Sequence, residues 1–451
     1  MYRLPSRIAR RAGRAAVALA LLGPGLAACR ATVGGPGPAA TVSHVEADVR
    51  HLADDSLEGR ATGTAGNDAA AAYIARRFAA LGLRSPLPGA NAAPCAASGT
   101  SAACAATYFQ RFDARSAADA HAGRTTGRPT QNVVAVIPGT DPALRGQYVV
   151  LGAHFDHLGR STEGALDPQA GSAIRNGADD NASGTAAVLE LARRFALRPA
   201  RRSLIVVAFS GEELGILGSQ HFVTEPPVPL DSVQAMLNFD MVGRLRDDRL
   251  IVYGLGTAAE LPALVDSVNV APALALSKVP DGYGPSDHSA FYARGIPVLH
   301  LFTDVHDDYH RATDDAEKIN YAGIERVVGY AERAARALAD RPARLTPIRT
   351  APPVASGGSS SGSSAYFGSV PDMGAADVPG LRITGVTPGS PADRAGLKAG
   401  DVVVEFGGMM VTDLYTYTDA LRARKPGDEV KVVVTRGAER LTLTAVLGTR
   451  P

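Results

Sequence analysis

The feature that most constrains the fold of this chain is an alternation of short apolar strands with helical stretches between residues 132 and 338. Strands are predicted at Asn132–Ile137, Tyr148–Gly152, Ser203–Phe209, Ala235–Phe239, Leu250–Tyr253 and Pro297–Phe302. Helices are predicted at Gly184–Phe195, 258–268, 286–293 and Tyr321–Leu338. Such alternation is typical of an α/β fold built around a largely parallel sheet. Helical periodicity also runs from Val42 to Leu83, ahead of the alternating region.

Length and composition limit the possible classes of protein. The chain has 451 residues, which favours two folded units with tails over a single domain. Hydrophobic residues make up 45% of the chain and the formal net charge is +1. This balance supports buried cores and argues against both a disordered chain and a nucleic-acid-binding protein.

The N-terminus has the pattern of a secretory signal. Five arginines between Arg3 and Arg14 precede a short apolar run from Ala15 to Leu22, which is too short to span a bilayer. The run leads to small residues before Cys29, which resembles a bacterial lipobox in which that cysteine is lipidated. We therefore predict a lipid-anchored protein of the bacterial cell envelope, on the periplasmic face of the outer membrane. An ordinary signal peptide with a chance cysteine is the alternative.

Two cysteines remain, and they lie in an irregular loop over residues 84–107. Cys95 and Cys104 flank a stretch of small residues, and in an oxidising compartment they are expected to pair. Two free thiols are the alternative. A C-x8-C spacing without a nearby histidine makes a poor zinc site.

Polar segments lie at the ends of the predicted strands. They contain His154 and Asp156, the pair Asp179 and Asp180, the pair Glu212 and Glu213, Asp240, and the pair Tyr309 and His310. Ligands of open α/β sheets gather at the carboxyl ends of strands, so these separated segments can converge on one site. Two histidines with three carboxylates suit zinc, whereas calcium would need more oxygen ligands.

The ordered set of segments resembles the dizinc aminopeptidase family of bacterial leucyl and Streptomyces-type aminopeptidases, over about residues 42–340. The resemblance implies a three-layer α/β/α sandwich with a mixed, mostly parallel sheet and two Zn²⁺ ions per chain. One ion would be held by His154, Asp180 and Asp240. The other would be held by Asp180, Glu213 and His310. Glu212 would be the general base.

Physical chemistry offers independent support for some of these roles. Neighbouring side chains of an extended segment point opposite ways, so Glu213 can face a metal while Glu212 faces substrate and water. Asp156 is placed to accept the remaining N–H of His154. Tyr309 could donate a hydrogen bond to an oxyanion, with plain packing as the alternative.

Several nearby residues stay outside the implied ligand set. We predict structural roles for His157 and His288, and we predict that Ser286 caps a helix. Asp179 is the rival of Asp180 for the bridging position. The insert from Arg160 to Asn176 is expected to rim the substrate pocket.

A tract from Ala355 to Ser364 consists almost entirely of Gly and Ser, a composition typical of a flexible linker. Beyond it, Ser390, Pro391 and Asp393 form a helix start with a capping box, and Val402–Phe406 is a predicted strand. This segment resembles PDZ domains of bacterial envelope proteases, with the loop at Tyr366-Phe367-Gly368 as the candidate binder of a peptide carboxylate. A domain that only positions the catalytic unit is the alternative.

The predicted organisation has five parts: a lipoprotein signal at 1–28, a tether at 29–41, a zinc aminopeptidase domain at 42–345, a linker at 346–364 and a mainly-β PDZ-like domain at 365–451. The expected function is removal of N-terminal residues from peptides. Carboxypeptidase or dipeptidase action, a glutaminyl cyclase and a catalytically inactive peptide-binding module are the alternatives.

Overall fold

The structure is a computed structural model of the chain. It describes residues 43–87, 105–115, 127–349 without 163 and 285, 365–371, and 380–449 without 388, 412–415, 418–419 and 422. Cys29, Cys95 and Cys104 lie outside the described residues, as does most of the predicted linker.

A mixed eight-stranded sheet forms the centre of the larger domain. Its strands are β1 (Phe109–Ala114), β2 (Arg128–Ile137), β3 (Tyr148–His154), β4 (Ser203–Phe209), β5 (Val233–Phe239), β6 (Arg249–Tyr253), β7 (Ala275–Lys278) and β8 (Val298–Phe302). They lie in the order β1-β2-β4-β3-β5-β8-β6-β7. The inner four, β4-β3-β5-β8, are mutually parallel, so their carboxyl ends share one edge of the sheet.

Helices cover both faces of this sheet. They are α1 (His44–Leu52), α2 (Ala65–Ala80), α3 (Gly184–Leu197), α4 (Leu217–Thr224), α5 (Leu261–Ser267), α6 (His288–Ala293) and α7 (Tyr321–Asp340). One apolar cluster joins α1, α2, α3, α5 and α7 to one face. A second cluster joins α4 and α6 to the other face. The predicted three-layer arrangement is therefore confirmed.

Most predicted elements appear with shifts of a few residues, but β1, β7 and α4 were missed. Strand β1 has the sequence FQRFDA, and only two of its six residues are buried. Strand β7 is exposed or partly exposed along its whole length. Edge strands such as these lack the continuous apolar pattern that marks an inner strand. Their pairing with β2 and β6, rather than their own sequence, gives them strand structure.

The C-terminal domain is mainly antiparallel. Its elements are β9 (Ala365–Tyr366), β10 (Ser369–Pro371), β11 (Leu381–Val386), α8 (Pro391–Arg394), β12 (Val402–Phe406), β13 (Met409–Met410), β14 (Glu429–Arg436), β15 (Glu439–Val446) and β16 (Gly448–Thr449). The Ser390 hydroxyl accepts the Asp393 N–H at 3.2 Å, as predicted for the start of α8. The Asp393 carboxylate accepts the N–H of Gly389, one residue before the position of an ordinary capping box.

The described residues include no helix that is both long and apolar enough to cross a membrane.

Candidate metal centre

Three adjacent parallel strands deliver the polar residues predicted from the sequence. His154 is the last residue of β3, Glu212 and Glu213 follow β4, and Asp240 follows β5. Because β3 lies between β4 and β5, the side chains after these strands meet at one edge of the sheet. The sheet order thus brings together residues that lie 86 positions apart between His154 and Asp240.

The turn that carries Asp180 is fixed by its own polar side chains. Asn181 donates to the carbonyl of Phe239 at 2.9 Å, and its side-chain oxygen accepts the N–H of Met241 at 3.2 Å. The Asp314 carboxylate accepts the N–H of Asp180 at 3.1 Å. These bonds hold the turn against the loop that follows β5, so Asp180 and Asp240 are positioned together.

A first group of possible metal ligands surrounds His154. Its Nε2 lies 3.4 Å from Oδ1 of Asp180 and 3.4 Å from Oδ1 of Asp240. Oδ1 of Asp240 is buried without a hydrogen-bond partner among the described residues. Three ligand atoms of suitable chemistry therefore face one point.

A second group uses the other oxygen of Asp180. Nε2 of His310 lies 3.2 Å from Oδ2 of Asp180 and 3.3 Å from Oε2 of Glu213. Asp180 therefore faces both groups, one oxygen toward each. This is the arrangement in which a carboxylate could bridge two metal ions.

The spacing of these atoms fits zinc. Ligand atoms about 2.0–2.1 Å from a tetrahedral Zn²⁺ lie roughly 3.3 Å from one another. The four measured separations run from 3.2 to 3.4 Å. Nitrogen and carboxylate oxygen are also the ligands that zinc prefers. The residues present therefore have the chemistry and the spacing of a zinc site.

Asp179, the rival for the bridging position, faces away from both groups. Its Oδ1 accepts the N–H of Gly243 at 2.6 Å and the hydroxyl of Ser183 at 2.8 Å. Its Oδ2 lies 3.1 Å from Nε2 of His306. These contacts hold the Asp179 carboxylate within the turn and away from both ligand groups.

His157 lies closer to the ligands than the sequence suggested. Its Nδ1 is 2.7 Å from Oε1 of Glu213, the oxygen that does not face His310. A side chain at Gly177 would collide with the His157 ring, so the glycine makes room for it. His157, Asp180 and Glu213 together form a group that could hold a metal ion, so His157 is a rival of His310 at the second group.

The sequence predicted that Glu212 and Glu213 lie in an extended segment, with their side chains pointing opposite ways. In the structure the two residues lie in a turn. The Glu212 carbonyl accepts the N–H groups of Gly215 and Ile216, each at 2.8 Å. Burial raises the pKa of Glu212 well above its ordinary value; the charge of His154 opposes this rise, and the charge of Glu213 adds to it. The surroundings of Glu212 therefore favour binding of a proton to its carboxylate.

The predicted bond from the His154 imidazole to the Asp156 carboxylate is not formed. Nδ1 of His154 lies 3.8 Å from that carboxylate but 3.2 Å from the backbone carbonyl of Asp156. The carboxylate instead accepts the N–H of Glu212 at 3.2 Å and the hydroxyl of Thr62 at 2.8 Å. Asp156 thus connects the histidine segment with the glutamate turn.

Tyr309 stacks on His310, with ring centroids 3.9 Å apart. It also packs at the edge of an apolar cluster around Met241 and Phe302. Burial and then the charge of Asp180 raise the pKa of Tyr309 well above its usual range. The hydroxyl therefore stays protonated and can act as a hydrogen-bond donor.

The electrostatics of the centre favour added positive charge. Burial by itself would lower the pKa of His154, but Asp240 and Glu212 raise it well above its ordinary value. Burial likewise opposes the rise at His310, where Glu213 and Asp180 bring the pKa to about 9. Without an added cation, the carboxylates would draw protons onto these imidazoles. Bound zinc would satisfy the same charges.

Arg60 supports the centre, although the sequence did not indicate its role. Its buried guanidinium donates to the carbonyls of Phe155 at 2.7 Å, Asn176 at 2.6 Å and Gly177 at 3.0 Å, and also to the carbonyl of Leu52. Burial lowers its pKa to about 10. Arg60 thereby joins the segment after β3 to the turn that carries Asp180.

The prediction that Ser286 caps α6 is wrong. The helix begins at His288, and Asp287 occupies the N-cap position without a side-chain cap bond. The Ser286 hydroxyl instead accepts a hydrogen bond from Asn238 at 2.8 Å. His288 is buried and stacks on His300 with centroids 4.4 Å apart, in keeping with its predicted structural role.

The insert from Arg160 to Asn176 contacts the late histidine directly. The carbonyl of Gly164 lies 2.8 Å from Nδ1 of His310, and the N–H of Leu166 donates to the His310 carbonyl at 2.9 Å. Within the insert, Arg175 is fully buried and donates to the Asp167 carboxylate at 2.8 Å. The insert therefore orients His310.

Two protein-family models match this chain, and each match falls on one of the two domains seen in the fold. Residues 132–334 match the model of peptidase family M28, and residues 359–447 match the PDZ domain. All five residues of the two ligand groups lie in the first match. The match to the PDZ domain covers the antiparallel C-terminal sheet.

Two curated relatives share part of this sequence. A probable leucine aminopeptidase from Trichophyton verrucosum (strain HKI 0517) is 31% identical over 204 residues, which covers 42% of this chain and 51% of the relative. Leupeptin-inactivating enzyme 1 from Streptomyces exfoliatus is 31% identical over 212 residues, which covers 43% of this chain and 40% of the relative. The chain thus spans about half or less of the length of these relatives.

Among solved structures, a Zn-dependent exopeptidase from Parabacteroides distasonis ATCC 8503 shares the fold. The TM-score is 0.51 at 18% identity, over 67% of this chain and 98% of that one. At this identity the likeness concerns the fold alone.

Proposed function

We propose that this chain, which carries a peptidase family M28 domain followed by a PDZ domain, is a zinc-dependent aminopeptidase with two metal ions. The observation that carries the proposal is the shared carboxylate of Asp180, whose two oxygens face His154 and His310 at 3.4 and 3.2 Å. A centre of this kind suits hydrolysis of peptide bonds by water. The names of the curated relatives favour removal of N-terminal residues.

The residues assigned to zinc are His154, Asp180 and Asp240 for one ion, and Asp180, Glu213 and His310 for the other. When bound, the ions would lower the pKa of a nearby water and polarise the carbonyl to be attacked. His157 holds Glu213 in place through the bond at 2.7 Å.

Glu212 is assigned the role of general base. Its carboxylate accepts a proton from the attacking water and passes that proton to the nitrogen of the leaving amine. Burial raises the pKa of Glu212, which makes its carboxylate a stronger proton acceptor. The Tyr309 hydroxyl donates a hydrogen bond to the developing oxyanion.

A panel of substrates tests whether residues are removed from the N-terminus or the C-terminus of a peptide. We expect purified protein to cleave leucine p-nitroanilide and free-amine peptides, and to leave N-acetylated analogues of the same peptides intact. Release of C-terminal residues from N-blocked peptides would instead identify a carboxypeptidase. Cyclisation of N-terminal glutamine without hydrolysis would identify a cyclase, an outcome that the presence of His154 disfavours because cyclases of this fold lack the first histidine ligand.

The PDZ domain is proposed to bind the C-terminus of a peptide. Strand β10 lies at the edge of its sheet, and Gly368 with φ of 89° turns the chain just before it. An exposed edge can accept an added peptide strand. Because every assigned ligand precedes residue 346, a chain truncated at Ala355 should keep turnover of leucine p-nitroanilide within about twofold and lose only peptide binding by the PDZ domain. Loss of that turnover in a folded truncated protein would show that the PDZ domain completes the active site.

Anchoring through a lipid on Cys29 is proposed from the lipobox alone. Substitution Cys29→Ser should move the protein from the membrane fraction to the soluble fraction of the envelope, because the modified thiol is lost. Unchanged membrane association of this variant would contradict the lipoprotein assignment.

A further inference from the structure

The loop that follows β8 carries His310, and the backbone of this residue is strained. The φ angle of His310 is 55°, in the left-handed region that residues with a side chain rarely adopt. Such a conformation persists only where the surrounding structure holds it. The contacts that hold this loop therefore decide where the His310 imidazole lies.

Arg244 bonds to carboxylates on both sides of His310. Its Nη2 donates to Oδ2 of Asp308 at 3.2 Å, two residues before the histidine. The same nitrogen donates to Oδ1 of Asp314 at 3.0 Å, four residues after the histidine. Because both bonds come from one guanidinium nitrogen, a single cation fixes the loop at two points that flank His310.

The backbone around Arg244 is itself held by hydrogen bonds. The N–H of Arg244 donates to the Thr303 hydroxyl at 3.2 Å. The N–H of Gly243 donates to the Asp179 carboxylate at 2.6 Å, and the carbonyl of Gly243 accepts the N–H of Asn320 at 2.8 Å. These bonds fix the segment after β5, so the guanidinium has a defined position against the loop.

Asp314 extends this contact to the turn that carries the bridging aspartate. Its Oδ2 accepts the N–H of Asp179 at 2.9 Å and the N–H of Asp180 at 3.1 Å, while its Oδ1 accepts the bond from Arg244. Asp314 is fully buried, and loss of the cationic partner of a buried carboxylate is strongly destabilising. Arg244 therefore supplies the charge that stabilises Asp314 beside the turn of Asp180.

We propose that Arg244 is a positioning residue of the second ligand group, and that it sets the affinity of the zinc ion assigned to this group. It acts through the loop on both sides of His310 rather than as a ligand. The first group depends on it less, because His154 ends β3 and Asp240 directly follows β5, where the sheet holds them. The inference rests on the proposed function, since it concerns the second of two zinc ions.

Arg244→Met tests this role, with both zinc affinities of the full chain measured by competition against a chromogenic zinc chelator. The substitution keeps a long side chain and removes its charge. We expect one zinc ion to bind about 10–100-fold more weakly, as after loss of other residues that orient a metal ligand, while the other ion keeps its affinity. A role in the fold alone would not single out one ion. Arg244→Lys should recover most of the lost affinity, because an ammonium group can donate to two carboxylates.

Two further variants complete the design. Asp308→Ala removes the bond on one side of the histidine only, so it should weaken the same zinc ion by a smaller factor even if Arg244→Met does not fold. Arg201→Met breaks an ion pair with Asp141 just before β4 and should leave both affinities unchanged. Unchanged affinities for two zinc ions in both Arg244→Met and Asp308→Ala would overturn the inference alone, as would equal weakening of both ions. A wild-type protein that retains only one ion would overturn the two-zinc function, and the inference with it.

Discussion

Glu212→Gln should reduce the turnover of leucine p-nitroanilide by about 10²–10⁴-fold while the zinc content stays unchanged. Glutamine keeps the size of the side chain, and neither assigned ligand group includes Glu212. The variant loses the carboxylate that takes the proton from water. Added zinc should not restore the rate, because the metals are already bound.

Glu213→Gln is the matched variant at the next position. It replaces an anionic ligand whose Oε2 lies 3.3 Å from His310 and whose Oε1 contacts His157. We expect weaker zinc retention and partial recovery of activity at high zinc concentration. For both variants, turnover and bound zinc are measured in the same samples. A loss of zinc in Glu212→Gln with full zinc in Glu213→Gln would reverse the two assignments.

Asp180→Asn should abolish activity and release both metal ions. The substitution leaves the shape of the side chain but removes the only charge assigned to both ligand groups. Loss of a residue that merely orients a ligand already weakens metal binding by about 10–100-fold, so loss of the bridging ligand should exceed that range. Metal analysis after gel filtration gives the zinc remaining per chain.

The control for this variant is Asp307→Asn, an identical change at an exposed position of the loop before His310. It should keep both zinc ions and full turnover. Retention of two zinc ions by folded Asp180→Asn would contradict the bridging assignment. Far-ultraviolet circular dichroism of both variants establishes that each is folded.

The apolar strands were the most predictable part of the structure. Ser203–Phe209 was predicted with its exact bounds, since all seven of its residues are buried and the six after Ser203 are apolar. The edge strands β1 and β7 could not be predicted in this way, because their partners determine them. The same distinction applies to the site. Side chains at the ends of buried strands, such as His154 and Asp240, were recognisable from position and residue type.

The residues that support the site lacked such a signal. Arg60 donates to carbonyls of two distant segments, at Phe155 and Asn176, and a sequence shows no pattern for bonds between a side chain and a remote backbone. The contact of His157 with Glu213 likewise depends on how the segment after β3 lies against the turn after β4. A β-bulge at Gln234 arises from the register of β5 against β3, so it could not be seen in either strand alone.

The central claim is that two zinc ions share Asp180 and act together. It is tested most directly by adding zinc in measured equivalents to metal-free protein, while retained zinc and turnover of leucine p-nitroanilide are followed. The account predicts that turnover rises until two zinc ions are retained per chain, and that chelation reverses the rise. Full turnover with one retained zinc ion, and no further zinc bound, would contradict it.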